Sequence, residues 1–178
     1  RDLHSFPTRR SSDLVVPNSH NYNDIGLMYS NSGNREKAIK AYEKAIEKDP
    51  SNATLYSNLA LEYKYKDKQK YKENVRKAYE LNPDSPIYTF EYGRVLSSEG
   101  QKDEAQHLYR EAYDKYMIKW NGNNMQSWDY SWFISVAEAV GEYEMAKKIR
   151  EAEPKKSKAT IYDVDNLAKT KDNQIIRY

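Results

Sequence analysis

The chain has 178 residues, 38% hydrophobic and 31% charged, with 29 Lys and Arg against 27 Asp and Glu, three His and no Cys. That length suits one domain or a short repeat array, and the apolar share is too high for a wholly disordered chain yet leaves only a thin core. The lack of cysteine removes disulfides, thiolate metal sites and a cysteine nucleophile, and no run approaches the roughly 18 apolar residues of a membrane-spanning helix.

At the N-terminus, His4 to Leu14 reads HSFPTRRSSDL behind an initial Arg. This string resembles one reading frame of the adaptor oligonucleotide used in short-read DNA sequencing. Residues 1–14 are therefore set apart as an assembly remnant or a disordered arm, and the natural chain is expected to continue upstream. The sequence reads as a fragment, from a bacterial environmental assembly, and a soluble, cytoplasmic setting is the expectation for it. Segment 1–14 carries three Arg against two Asp, and the tail from Pro154 carries six Lys or Arg against three Asp. Setting both aside leaves a slightly acidic segment 15–153, which argues against a nucleic-acid platform, since neutralising phosphates needs clustered Lys and Arg.

After Val15 to Asn18, two helical patterns follow in close order. Tyr22, Ile25, Gly26 and Tyr29 recur at three- and four-residue spacing, Gly33 interrupts, and Ala38, Ile39, Tyr42, Ala45 and Ile46 continue. The spacing predicts helices near 20–32 and 35–48. Gly33 supplies a left-handed turn, and Asp49-Pro50 ends the second helix. Small Gly26 and Ala38 suit a close crossing of the two helices, and Ala45 the packing of the next hairpin.

The unit returns at Ala53, 34 residues after Ser19, with Tyr56, Leu59, Ala60 and Tyr63 in the matching slots. Its second half departs: Asp67-Lys68 replaces the turn glycine, and Tyr71 and Val75 stand where Ala and an aromatic are expected. Tyr71 must then open the helix angle or point aside. A third unit starts at Pro86 with Tyr92, Gly93, Leu96, Gly100, Ala105, Tyr109 and Ala112, and its second helix runs through Tyr116 toward Trp120, stopped by Asn121-Gly122-Asn123-Asn124. A fourth, weaker unit from Ser127 has Tyr130, Phe133, Ala137, Gly141 and Ala146. Ile134 occupies its small-residue slot, and Arg150 and Glu153 replace the aromatic and the Ala of its second helix. Such a polar outer face suits a terminal capping repeat. The lysine-rich stretch 154–178 reads as a flexible tail.

These slots and the period resemble the tetratricopeptide repeat (TPR), whose pattern is bulky, bulky-small, aromatic, then Ala, aromatic, Ala, Pro over about 34 residues. The resemblance implies an all-α, right-handed superhelical solenoid of antiparallel helix hairpins, with repeats at about 19–52, 53–85, 86–119 and 127–153. In such arrays the first helices line a concave groove that takes a peptide or a partner's helix. The residues facing it here are expected to be Asn23 and Leu27 with His20 and Asn31, then Asn58, Leu61 and Tyr65 with Thr54 and Ser57. Phe90 and Arg94 with Ile87 and Ser97 follow, and finally Trp128 with Ser131. Phe90, Tyr65 and Trp128 are expected to bury apolar partner side chains, Asn58 and Asn23 to hold partner backbone, and Arg94 to hold a carboxylate. The alternative for the aromatics is that they fill the seam between repeats.

Nothing else in the sequence assembles a catalytic or metal constellation. The glycines serve small-residue slots, turns and one loop, so no phosphate cradle remains. His4, His20 and His107 are scattered, and Glu36, Glu43, Glu47, Glu104 and Glu111 lie among basic residues as solvated helix faces. The reading is of no enzyme, no cofactor, no metal, no nucleic acid, no membrane and no small-molecule substrate, with a protein or peptide as partner. The alternative is the C-terminal interaction module of a larger, truncated enzyme or signalling protein. TPR cochaperones that grip the acidic C-terminus of heat-shock proteins use a clamp of Lys, Arg and Asn. At the matching places this chain has Asn23, Leu27, Ile87 and Glu91, with only Asn58 agreeing, which argues against that role.

Overall fold

The computed structural model describes residues 18–154. The segment set apart at 1–14, the lead-in through Pro17 and the tail from Lys155 lie outside the described residues. Among the described residues eight helices follow one another: α1 (Ser19–Asn31), α2 (Arg35–Lys48), α3 (Ala53–Tyr63), α4 (Lys68–Leu81), α5 (Pro86–Ser98), α6 (Lys102–Asn121), α7 (Asp129–Ala139) and α8 (Tyr143–Ala152). No strand occurs among the described residues. Those up to Lys119 form one compact unit and those from Trp120 a second, with the boundary in the last turn of α6.

Local chemistry sets the ends of these helices. Asn18 and Asn21 cap α1 reciprocally, each side-chain oxygen accepting the other's backbone N–H at 2.9 and 3.0 Å. Asn34 caps α2, Asn52 caps α3, and Asp67 accepts the N–H groups of Gln69 and Lys70 at the start of α4. The second hairpin manages without a turn glycine because no residue of its turn takes a positive φ. Gly33, Gly100 and Gly141 end the first helices of the other hairpins with φ of 76°, 87° and 83°, a region glycine enters without steric cost.

In the N-terminal unit, α1 packs on α2, α3 on α4, and α2 and α4 each on the helix that follows. Small residues open the crossings as expected. A β-carbon on Gly26 would lie 2.4 Å from Tyr42 Cε1, and one on Gly93 would lie 2.8 Å from Tyr109 Cε1. Ala38, Ala45, Ala105 and Ala112 are fully buried or nearly so. The second hairpin exchanges sizes between these places. Val75 replaces the aromatic and is buried beside Ala60 and Val95, while Tyr71 fills the freed space and packs against both neighbouring clusters. Tyr71 points aside, and its hydroxyl donates to Glu91 Oε2 at 2.9 Å.

Ile25, expected in the core of the first hairpin, is 36% exposed, whereas its register counterpart Leu59 is 5% exposed. The second helix of the first hairpin covers α3, and among the described residues no earlier helix covers α1 in that way.

In the second unit, α7 and α8 form a hairpin around Phe133, Val136, Ala137, Ala146 and Ile149, all fully buried. Arg150 donates to Glu138 across the pair, and both it and Glu153 are exposed, a polar outer face at this end.

Candidate functional site

The residues assigned to the groove fall into three groups. Asn23 and Asn58 meet directly: Asn58 Nδ2 donates to Asn23 Oδ1 at 3.0 Å, tying α3 to α1. An amide has two donors and an acceptor, so this bond still leaves Asn23 Nδ2 and Asn58 Oδ1 as a donor and an acceptor of the kind a peptide backbone needs. Leu27 lies four residues after Asn23 and Leu61 three after Asn58, on the same helix faces. Both are exposed, Leu61 at 50%, and Tyr65, one turn beyond Leu61, is 82% exposed. His20, Asn31 and Thr54 are exposed at the two ends of this row.

Phe90 is a correction. It was expected to offer its ring to a partner, yet it is 5% exposed and its ring tilts at 54° against Tyr109, centroids 5.2 Å apart. The cause is Gly93, one turn further along α5: with no side chain there, the Tyr109 ring lies across α5, and Phe90 packs on it from the preceding turn. The alternative reading, an aromatic filling the seam, is the one the structure supports.

Arg94 also differs from expectation. Its Nη1 donates to Glu91 Oε1 at 2.8 Å, and Glu91, buried, is bonded on its other oxygen by Tyr71. Burial works against the charged guanidinium, but the carboxylate beside it prevails and holds the Arg94 pKa above its ordinary value. A partner's carboxylate would therefore have to compete with Glu91 for this cation, and Glu91's own charge would repel it. A second carboxylate, Glu62, is treated in the same way: buried on α3, it accepts from Ser30 Oγ at 2.5 Å and faces Arg35 Nε at 3.5 Å. Sequence reasoning missed Glu62. The one available signal was an acid flanked by Leu59, Ala60 and Tyr63 on the apolar side of a helix.

Trp128 belongs to the second unit, where it precedes α7 and is 61% exposed. Ser131, a turn later, donates to its carbonyl. His107 is exposed on α6, as an ordinary surface residue would be. Among the described residues no helix is long and apolar enough to cross a membrane.

Residues 26–67 match the family model described as TPR repeat. Over 89 residues the chain is 34% identical to cellulose synthase operon protein C of Pseudomonas fluorescens strain SBW25. That match takes in 49% of this chain but 7% of the relative, so the chain spans a small fraction of that protein's length. Among solved structures, one of MamA has a TM-score of 0.54 at 20% identity, covering 76% of this chain and 80% of that one. The first TPR of Spaghetti (RPAP3), bound to the HSP90 peptide SRMEEVD, has a TM-score of 0.51 at 22% identity, covering 75% and 91%. At these identities the two structures show a shared fold of helical hairpins.

Proposed function

We propose that this tetratricopeptide-repeat protein is an interaction scaffold whose α1 and α3 face holds an extended, uncharged segment of a partner protein. The observation that carries the reading is the Asn58–Asn23 bond with exposed Leu27 and Leu61 one turn beyond it. Packed helices lie roughly 10 Å apart, and an extended segment of polyproline II type advances roughly 9 Å in three residues and brings its side chains back to the same side. A segment with two apolar side chains separated by two residues thus matches Leu27 and Leu61, and the peptide groups between them meet the amide pair. Tyr65 extends the apolar row, and Arg94 orients Glu91 rather than taking a partner's carboxylate. Trp128 is proposed as a separate contact on the second unit.

The HSP90 peptide seen with Spaghetti is acidic and ends in a carboxylate. Glu91 stands at a place where such a ligand is held by a cation in the cochaperone clamp, so the proposed partner differs from it in charge. No catalytic step is proposed for this segment. A second reading, an interaction module within a longer protein, is favoured by the relative of which this chain spans 7%.

The test is capture of peptides by the full chain and by an Asn58→Ala, Leu61→Ser double variant. The reading expects the double variant to lose at least tenfold in affinity. Equal capture by both would remove the α1 and α3 face from consideration.

A further inference from the structure

The loop between Trp120 and Trp128, NGNNMQS, interrupts the repeat and supplies none of the residues assigned to the groove. It forms a built loop. The N–H of Asn123 bonds the Trp120 carbonyl at 3.2 Å with Asn123 at a φ of 54°. At its far end, buried Asp129 accepts the Gln126 N–H at 2.9 Å and returns its own N–H to the Gln126 carbonyl at 2.9 Å. Beside the loop lies an open cleft of about 440 Å³ lined by Trp120, Asn123, Met125, Tyr130 and Ala152, within the roughly 300–1,000 Å³ range of small-ligand sites. The Trp120 ring meets those of Tyr130 and Phe133 at 73° and 61°, with centroids 6.4 and 6.2 Å away.

The lining has two chemical properties. None of these lining residues is charged. Aromatic rings stand beside amides: the side chains of Asn121, Asn123, Asn124 and Gln126 are exposed, and none has a hydrogen-bond partner among the described residues. An amide pairs a donor with an acceptor, which suits vicinal hydroxyl groups that both give and take hydrogen bonds. A flat aromatic face suits a ring whose C–H bonds point up and down and whose hydroxyls lie around its rim. A loop already fixed by its own backbone bonds loses little freedom on binding.

We infer that this loop is a binding site for a neutral oligosaccharide of all-equatorial pyranose rings, with Trp120 as the ring platform, Tyr130 as a steeply inclined side wall and Asn123 as the hydroxyl-binding amide. The inference is independent of the peptide face on the N-terminal unit.

All three tryptophans, Trp120, Trp128 and Trp132, lie in the second unit, so intrinsic tryptophan emission reports on it alone. The experiment is titration of the full chain with cellotetraose, followed by emission and by calorimetry, with tetragalacturonate as the charged comparison. The expected result is a saturable change with cellotetraose, at least tenfold weaker with tetragalacturonate. Asn123→Gly keeps the left-handed backbone while removing the amide, and it should weaken cellotetraose binding at least tenfold with unchanged circular dichroism. Trp120→Phe should weaken it less. Absence of saturable heat and emission change, equal binding of the charged sugar, or wild-type binding by Asn123→Gly would each overturn the inference.

Discussion

The Asn58 amide donates to Asn23 across two successive repeats, 35 residues apart in sequence, and it is the one direct bond among the side chains assigned to the groove. Replacing Asn58 by Leu should cost folding stability only about 1 kcal/mol, the net value of a partly exposed hydrogen bond. The same change should abolish peptide capture if the pair holds partner backbone. Urea denaturation and peptide binding measured on one preparation separate the two effects.

Gly26→Ala should be the most damaging single-methyl change in the N-terminal unit. Its β-carbon would sit 2.4 Å from the Tyr42 ring, and Tyr42 is fully buried. Overpacking of this kind costs about 1–3 kcal/mol. Gly33→Ala meets nothing within 4 Å but is held at a φ of 76°, so its cost of about 1 kcal/mol is conformational. A Gly26→Ala, Tyr42→Leu double variant should recover part of the first loss, whereas Gly33→Ala, Tyr42→Leu should be additive. Denaturation midpoints of these four variants and of Tyr42→Leu alone decide this.

Tyr71→Phe removes one of the two partners of Glu91 and leaves a buried carboxylate oxygen without its donor. The expected loss is about 1–3 kcal/mol. Because Arg94 is held by the same carboxylate, the Tyr71→Phe and Arg94→Ala changes should be non-additive in a double-mutant cycle. Additive losses would show that Glu91 does not couple the two.

Tyr42, buried, and Tyr71, half-buried, give the fold an alkaline limit. Burial raises the Tyr42 pKa from 10.0 to about 12, aided by the charge of Glu62, and burial with Glu91 nearby pushes Tyr71 up further. Below pH 10 these hydroxyls keep their protons in both folded and unfolded chains. Above pH 10 the unfolded chain releases them while the folded chain does not, so stability falls as pH rises. Tyr42→Phe should flatten that fall between pH 10 and 12, which denaturation at a series of pH values measures. An unchanged slope would contradict the assignment.

Helices and turns were legible because they depend on neighbours in sequence: Gly33, Gly100 and Gly141 at positive φ and Ala at crossings. The candidate site was legible only in part. Asn23, Asn58, Leu27, Leu61 and Tyr65 were identified by repeat position and lie partly or fully open on the first helices. Phe90 holds an equivalent position yet is buried, because a ring from another helix, Tyr109, crosses where Gly93 leaves room. Arg94 looked like an available cation since its partner Glu91 is itself buried, and nothing in the local pattern says that Tyr71 would turn toward that carboxylate. These outcomes depend on residues 16 to 20 positions apart in sequence, beyond the reach of helical periodicity.

The most direct test of the central claim is selection of a random peptide library on the full chain, with the Asn58→Ala, Leu61→Ser variant as counter-selection and the peptide SRMEEVD titrated beside it. The account predicts enrichment of uncharged peptides with two apolar residues separated by two positions, lost in the variant, and no measurable binding of SRMEEVD. Enrichment of acidic C-terminal peptides, or tight binding of SRMEEVD abolished by Arg94→Ala, would contradict it.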